Sequence, residues 1–505
     1  MGTFISYIKN HSVLSIIVGV VIILGIMSIT AIFMTPQAPG DGKNHLYWVT
    51  NDDPNKQLVA EMFNQSSADT VITIDPDSGG VAKTMIQSAA GIGGDVLDFI
   101  NEFNIQTYQS AGILMDLTDK ASKYGFPLEL LDDSVKGLCM VGVPDAEGKL
   151  RQRQFTFPAT IDNHFIIYNK AIFDKYGVPY PSDDMTWEEY ILLAQKLTHY
   201  ATPGEAVPEV FGATGARSNF LTILWGKGGD IFNKSCTASA LDSPEAFEAL
   251  KFYRDLHFKY KAEPTATLRA GATPSGGTGA VASSSDQSLF GSGKAAMIWA
   301  GRWFLKDLRV YADYNKKMIQ NWRKSHPDKP CPYQEIIYGA CAVPRFKDAP
   351  RYNMTHTGRT VGINAKTKYP ESALEFIAYL ASPEYNNFVC RVSAAKPPNK
   401  NYWKPELFYN PDYPEENPVH NMSIKAVANG RCVQRSPFIE TSVVSRILEN
   451  MLDVIATREN VSDNEIKDLA KRAAERINAT IARNVSRDKL LKKVYDKSLE
   501  AHKKP

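Results

Sequence analysis

Carboxylates, amides and indole rings are the groups in this chain whose types and spacing suit chemistry on a small molecule. Asn51 and Asp52 stand side by side, Glu102 follows an apolar run, and Asp162-Asn163 precede another. Carboxylates supply paired acceptors and amides add donors, so these residues suit hydrogen bonding to ligand hydroxyls. Trp303, Trp225 and Tyr402 add flat faces that stack on aliphatic C–H bonds. Each has a structural alternative: capping and turn formation for the polar groups, core packing for the rings. Two of the carboxylates working as acid and nucleophile is the glycosidase arrangement. No motif of nucleophilic or metal chemistry accompanies them, because HExxH and CxxC are absent and the 9 histidines are dispersed. No metal or cofactor is expected. Gly293-Lys294 invites comparison with a phosphate-cradling loop, but that motif requires glycine where Ser288 stands and a hydroxyl where Ala295 stands.

The elements that position these groups are legible as local patterns. In Phe290 to Trp303, FGSGKAAMIWAGRW, the run Ala295 to Ala300 has the length of a buried strand, and Gly291, Gly293 and Gly301 punctuate its ends. That strand hands Gly301 and Trp303 to a turn. His45 to Thr50 reads as a first strand, Asn51 to Pro54 as a turn and helix cap, and Lys56 to Asn64 as a helix. A second strand over Val71 to Ile74, a helix over Val81 to Ala90 and a third strand over Asp95 to Phe99 follow. This alternation predicts a mostly parallel sheet with ligands at the carboxyl ends of its strands, where Asn51, Asp52 and Glu102 fall. Phe165 to Tyr168 is a further strand, which puts Asp162-Asn163 at a crossover. Thr186 with Glu189 forms a capping box, and Ser243 to Lys259 is an amphipathic helix with Pro244 in its first turn.

Several of these stretches resemble the extracytoplasmic solute-binding family whose best-known members bind maltose and other sugars for ABC importers. The family shows F-x-x-G-x-A-A-M followed by G-x-W where this chain has Phe290 to Trp303. It similarly shows a proline and a strand ending Y-N-K at Pro158 and Tyr168-Asn169-Lys170, then T-W-x-E at Thr186 to Glu189. The helix Glu371 to Leu380 followed by Ser382-Pro383-Glu384 also matches, whereas Arg359 stands where glycine is frequent and Gly94 replaces a proline. The resemblance implies an α/β, two-lobed periplasmic-binding-protein-like fold of type II with discontinuous lobes joined by hinge crossings. It places an N-terminal lobe at 44–158 with about 304–350, and a C-terminal lobe at 159–303 with about 351–490. It implies a substrate-binding component, not an enzyme, that holds a sugar or oligosaccharide between the lobes and delivers it to a permease as a monomer. Trp303 and Gly301, with Asp162, Asn163, Glu102, Asn51, Asp52, Trp225 and Tyr402, are the candidate ligand-binding residues. The alternatives are a membrane-anchored sensor or scaffold ectodomain, or a glycoside-acting enzyme.

With 57 Lys and Arg against 55 Asp and Glu, and no dense basic block, nucleic acid is excluded as a partner and a neutral ligand is expected. Residues 1–35 contain the apolar run Val13 to Met34. At about 1.5 Å per helical residue it spans a bilayer core of about 30 Å. Lys9 precedes the run and no cysteine follows it closely, so an uncleaved anchor in the cytoplasmic membrane is expected rather than a lipidated terminus, the alternative being a signal cleaved near Pro36-Gln37-Ala38. The bulk is then extracytoplasmic, and residues 491–505 read as a basic tail. The 6 cysteines permit disulfides in an exported domain or stand as buried thiols. Amino-terminal sequencing of the mature protein tests the anchor: retention of residues before Val13 is expected, and a new terminus near Pro39 would refute it.

Overall fold

The structure, a computed structural model, describes residues 40–76, 80–100, 102–272, 285–331, 335–392 and 395–501. Val13 to Met34 lies outside the described residues, as does most of the Gly/Ser-rich stretch 269–287. Among the described residues no helix is long and apolar enough to cross a membrane.

Strands β1 (Asn44–Val49), β2 (Thr70–Asp75) and β3 (Val96–Ile100) alternate with helices Pro54–Ser66 and Val81–Ala90. Such helical crossovers leave consecutive strands parallel, in the order β3-β1-β2. The first helix starts at Asp53, whose side chain accepts from the Asn55 amide, with Pro54 in the first turn where its missing N–H costs nothing. A hairpin of β4 (Met140–Pro144) and β5 (Leu150–Gln154) then leads to β6 (Thr156–Asn163), every residue of which is buried. Only His164 separates β6 from β7 (Phe165–Asn169), which opens a second sheet with β8 (Met297–Ala300) and β9 (Tyr338–Cys341), both antiparallel to it. The chain returns through β10 (Asn353–Ile363), which inserts antiparallel between β3 and β6, and β11 (Gly430–Arg431) adds a short edge.

This pairing corrects two expectations. Only part of the first sheet is parallel, because β10 runs against both its long neighbours. Segments 305–341 and 353–392 also belong to the opposite lobes from those expected, whereas helices Thr441–Thr457 and Asp463–Arg487 pack into the second lobe's core. Helix Leu305–Ser325 and β9 pack with β7 and β8, while β10 and helices Pro370–Ala381 and Pro383–Val392 complete the first lobe. The crossings therefore fall at His164, between Cys341 and Asn353, and beyond Val392, and not at the expected lobe boundary near residue 303. Nothing local in a strand's sequence states which sheet will pair with it. The basic tail is corrected too: Lys489–Ala501 is a helix, and Val494, Leu491 and Tyr495 fasten it to the second lobe's core. All six cysteines are free thiols.

Each lobe has its own core. Leu46, Trp48, Phe63, Phe157, Val361 and Phe376 centre the first, with Trp48 and Phe376 rings 5.1 Å apart. Trp187, Tyr190, Trp225 and Trp299 centre the second, with Trp187 and Trp299 stacked at 5.6 Å. Inside that second core Trp299 Nε1 donates to the Tyr190 hydroxyl at 2.9 Å, and the hydroxyl donates to Glu263, which also accepts from the Ala216 amide. Burial pushes the Glu263 carboxyl from 4.5 up to about 8. The folded protein then holds a proton that the unfolded chain releases, so stability falls as pH rises from about 5 to about 8. Glu263→Gln removes this loss. Its melting temperature should climb relative to that of wild type across the window, and parallel melting curves at every pH would show the carboxyl to be already ionised.

Candidate ligand cleft between the lobes

A cavity of about 650 Å³ lies between the two cores. The first lobe lines it with Trp48, Asn51, Asp53, Lys56, Asp98, His356, Arg359 and Tyr385, and the second with Trp303, Lys306 and Asp307. Asn51 and Asp53 arrive on the loop after β1, and Lys56 on the first turn of the helix that Asp53 caps. Asp98 sits on β3, facing Arg359 on β10. Register shifts flank Arg359 on both sides, the local irregularity that re-aims a side chain out of a ladder.

Asp98 is the centre of the wall. Lys56 Nζ reaches its Oδ2 at 2.8 Å and Arg359 Nε its Oδ1 at 2.8 Å, with the carboxylate only 1% exposed. The Thr50 hydroxyl donates to Oδ2 at 2.6 Å and accepts from Arg359 Nη2 at 3.2 Å. Burial by itself pushes the Asp98 carboxyl up; Arg359 and Lys56 more than reverse it and hold the group below the usual range. Lys56 is lowered, chiefly by burial and then by Arg359, with Asp98 opposing. Across the cavity Lys306 Nζ meets Asp53 Oδ2 at 2.8 Å, an ion pair that joins the lobes directly. Asp307, next in sequence, is raised by burial, with Lys306 opposing.

Of the residues expected to hold a ligand, Trp303 and Asn51 line this cavity. Trp303 is half-buried, its ring 5.8 Å from that of Phe304. Asp52 is exposed beside the cleft and accepts from Gln57 Nε2 at 2.9 Å. Asp162 and Asn163 are sealed at the crossing, both 0% exposed. Asp162 Oδ1 accepts from the Asn163 amide at 2.8 Å, and Lys396 Nζ donates to Asn163 Oδ1 at 2.6 Å. Burial raises Asp162 and pushes Lys396 down to about 8. Glu102 is buried as well and accepts from the Thr357 amide and hydroxyl at 3.2 and 3.0 Å, bracing β10. Trp225 is a core residue whose ring lies 4.9 Å from the Arg431 guanidinium. Tyr402 ends a short 3-10 turn and accepts from Cys390 Sγ through its carbonyl. Gly301 serves the hinge: a Cβ there would lie 2.6 Å from Asp162 Oδ1.

Trp48, Lys56, Asp98, Arg359, Lys306 and Asp307 escaped sequence reasoning. Arg359 alone carried a signal, as a departure from the family's glycine. Arg302, between Gly301 and Trp303, is fully buried, and its guanidinium donates to the carbonyls of Val389, Cys390 and Ala395 and to His420 Nδ1. The first three lie at and just beyond the end of helix Pro383–Val392, where a cation complements the helix dipole. The residue before Trp303 thereby ties it to the other lobe.

Two lobes, a sheet in each and a cavity at their junction define the type II periplasmic-binding-protein fold. Residues 50–387 match the model of the bacterial extracellular solute-binding proteins, and the chain belongs to that family. It is similar to an ABC substrate-binding protein from Listeria monocytogenes solved with cycloalternan, at 19% identity and TM-score 0.64, covering 87% of this chain and 99% of that one. It is also similar to a maltose-bound protein from T. maritima, at 20% identity and TM-score 0.62, covering 85% and 98%. The maltotriose binding protein of Thermus thermophilus matches at 18% identity and TM-score 0.61, over 87% and 100%.

Gly301→Ala drives a methyl into the sealed Asp162 carboxylate. Overpacking of this kind costs about 1–3 kcal/mol, so chemical denaturation should show a loss in that range. A variant as stable as wild type would mean that the crossing is loosely packed.

Proposed function

We propose that this protein is the extracytoplasmic substrate-binding component of an ABC importer, that it holds a carbohydrate in the inter-lobe cleft without transforming it, and that it passes the sugar to a membrane permease. The observation that carries this reading is the 650 Å³ cavity itself, walled by one lobe's polar cluster and by Trp303 from the other. Family membership supports it, as do the saccharides named for the solved proteins of similar fold. A ligand touching both walls binds the closed arrangement better than the open one, and that difference in affinity is what shifts the equilibrium toward closure. Val13 to Met34 would tether the domain to the cytoplasmic membrane, at the surface where the permease lies.

Two of the three cleft carboxylates favour binding over turnover. Asp98 is held ionised by two cations and Asp53 is occupied by Lys306, so neither is poised as a proton donor. Among the candidates first marked by their spacing, Trp303 is the one to stack on a sugar ring and Asn51 one to take a hydroxyl; Asp307 joins them from Trp303's side of the cleft.

A thermal-shift screen against mono- and oligosaccharides tests the function, because a ligand selective for the native state raises apparent stability. With a sugar so found, calorimetry on Trp303→Ala should show affinity down by about tenfold while the fold persists. Equal affinity in a folded variant would remove Trp303 from the site, and steady product formation by wild type would replace binding with catalysis.

A further inference from the structure

The even charge of the whole chain predicts a neutral ligand, but the cleft distributes its charge unevenly. Asp53 and Lys306 neutralise each other at 2.8 Å. On the first lobe's wall a single carboxylate, Asp98, faces two cations, Lys56 and Arg359, which leaves one positive charge in excess there, while the carboxylate that balances it, Asp307, stands on the opposite wall. The ammonium of Lys56 is fully engaged, by Thr50 Oγ1, Asn51 Oδ1 and Asp98 Oδ2. Arg359 spends Nε on Asp98 and Nη2 on Thr50, and its side chain remains 18% exposed. Among the described residues its third nitrogen, Nη1, has no partner.

A second, smaller cavity of about 210 Å³ adjoins the main one and shares Asn51, Asp98 and Arg359 with it. The guanidinium therefore stands where the two spaces meet, at the carboxyl ends of β1 and β3. The register shifts on either side of it are the backbone irregularity that delivers a side chain to such a place. An excess charge half withdrawn from water is costly unless an opposite charge meets it. The guanidinium fork matches the geometry of a carboxylate or phosphate.

Resting on the carbohydrate reading above, we infer that the cleft selects an acidic sugar, one bearing a carboxylate or phosphate oxyanion, with the anion received by Arg359 and the ring lying toward Trp303. Asp307 on the far wall carries no salt bridge among the described residues and takes a hydroxyl of the same ligand. Asp98 fixes the polarity of the site, because it orients the guanidinium while cancelling only one of the two cations.

The test is calorimetry on the full chain in detergent. Glucuronate, galacturonate and glucose 6-phosphate are titrated against glucose, galactose and maltose as neutral counterparts, with inorganic phosphate as the bare anion. At least one acidic sugar should bind about tenfold more tightly than its neutral counterpart, as hydrogen bonds to charged groups allow. Which acid does so separates carboxylate from phosphate. Arg359→Gln should erase the preference and Arg359→Lys should keep part of it; because Arg359→Gln takes a partner from buried Asp98 its melting temperature should fall, so binding is compared at a temperature where circular dichroism shows both variants folded. Neutral sugars binding more tightly than every acidic one would overturn the inference and leave the carbohydrate reading standing. Inorganic phosphate binding as tightly as glucose 6-phosphate would overturn it as well, by removing the sugar from the recognition. Binding of no sugar, acidic or neutral, would overturn the carbohydrate reading together with it.

Discussion

A carboxylate as deeply buried as Asp98 must be paired, and its pairing determines how the first lobe is assembled. Its partners come from three places: Thr50 at the end of β1, Lys56 on the helix after it, and Arg359 on β10, more than 250 residues away in the chain. Removing one member of a buried ion cluster leaves the others desolvated and uncompensated, which costs about 3–5 kcal/mol. The cluster therefore fastens the returning strand to the parallel unit from the cleft side, while Val361 and Ile363 fasten it from the core side. The cleft wall and the lobe's closure depend on the same contact.

What the sequence makes legible follows from the range of the interactions involved. The capping box of Thr186 and Glu189 forms with both reciprocal bonds, and Ser243 caps its helix with Pro244 in the first turn, because caps are decided within four residues. The strand ahead of Gly301 forms as the glycines predict. Lobe membership is decided by β10 pairing with β3 and β6 across long loops, and no local pattern encodes that choice. The site divides in the same way. Trp303 and Asn51 were legible from residue type, loop position and family pattern. Asp98 was hidden as a lone acid in the apolar run of β3, and Lys56 stood only as the first residue of a predicted helix.

Asp162 and Glu102 were misplaced for a related reason. Polar residues at a predicted crossover, as Asp162, or at a strand's carboxyl end, as Glu102, suit a ligand or the lobe junction itself, and the sequence does not separate the two. Here the crossover claims them. A single residue, His164, joins the lobes on this path, and its ring bonds Asn219 on one side at 2.6 Å and His356 on the other at 3.3 Å. Burial pushes His164 down to about 3, so it stays neutral between them. A strand passing from one sheet to another leaves polar groups that the ladders do not satisfy; there Asp162 accepts from the Asn163 amide, Lys396 donates to the Asn163 side chain, and the two histidines bond each other.

The hinge and the cleft are continuous through a few covalent steps. Gly301 leaves room for Asp162, Arg302 grips the carbonyls at the end of Pro383–Val392, and Trp303 projects into the cavity. His356 bonds the hinge histidine and also lines the cleft, three residues before Arg359. A rotation of the lobes about His164 that moves Trp303 relative to Arg359 must therefore work against the grip of Arg302, the residue next to Trp303, on the first lobe's carbonyls. Ligand contact and lobe angle are thus coupled by bonded geometry and close packing, and the coupling requires no separate pathway through either core.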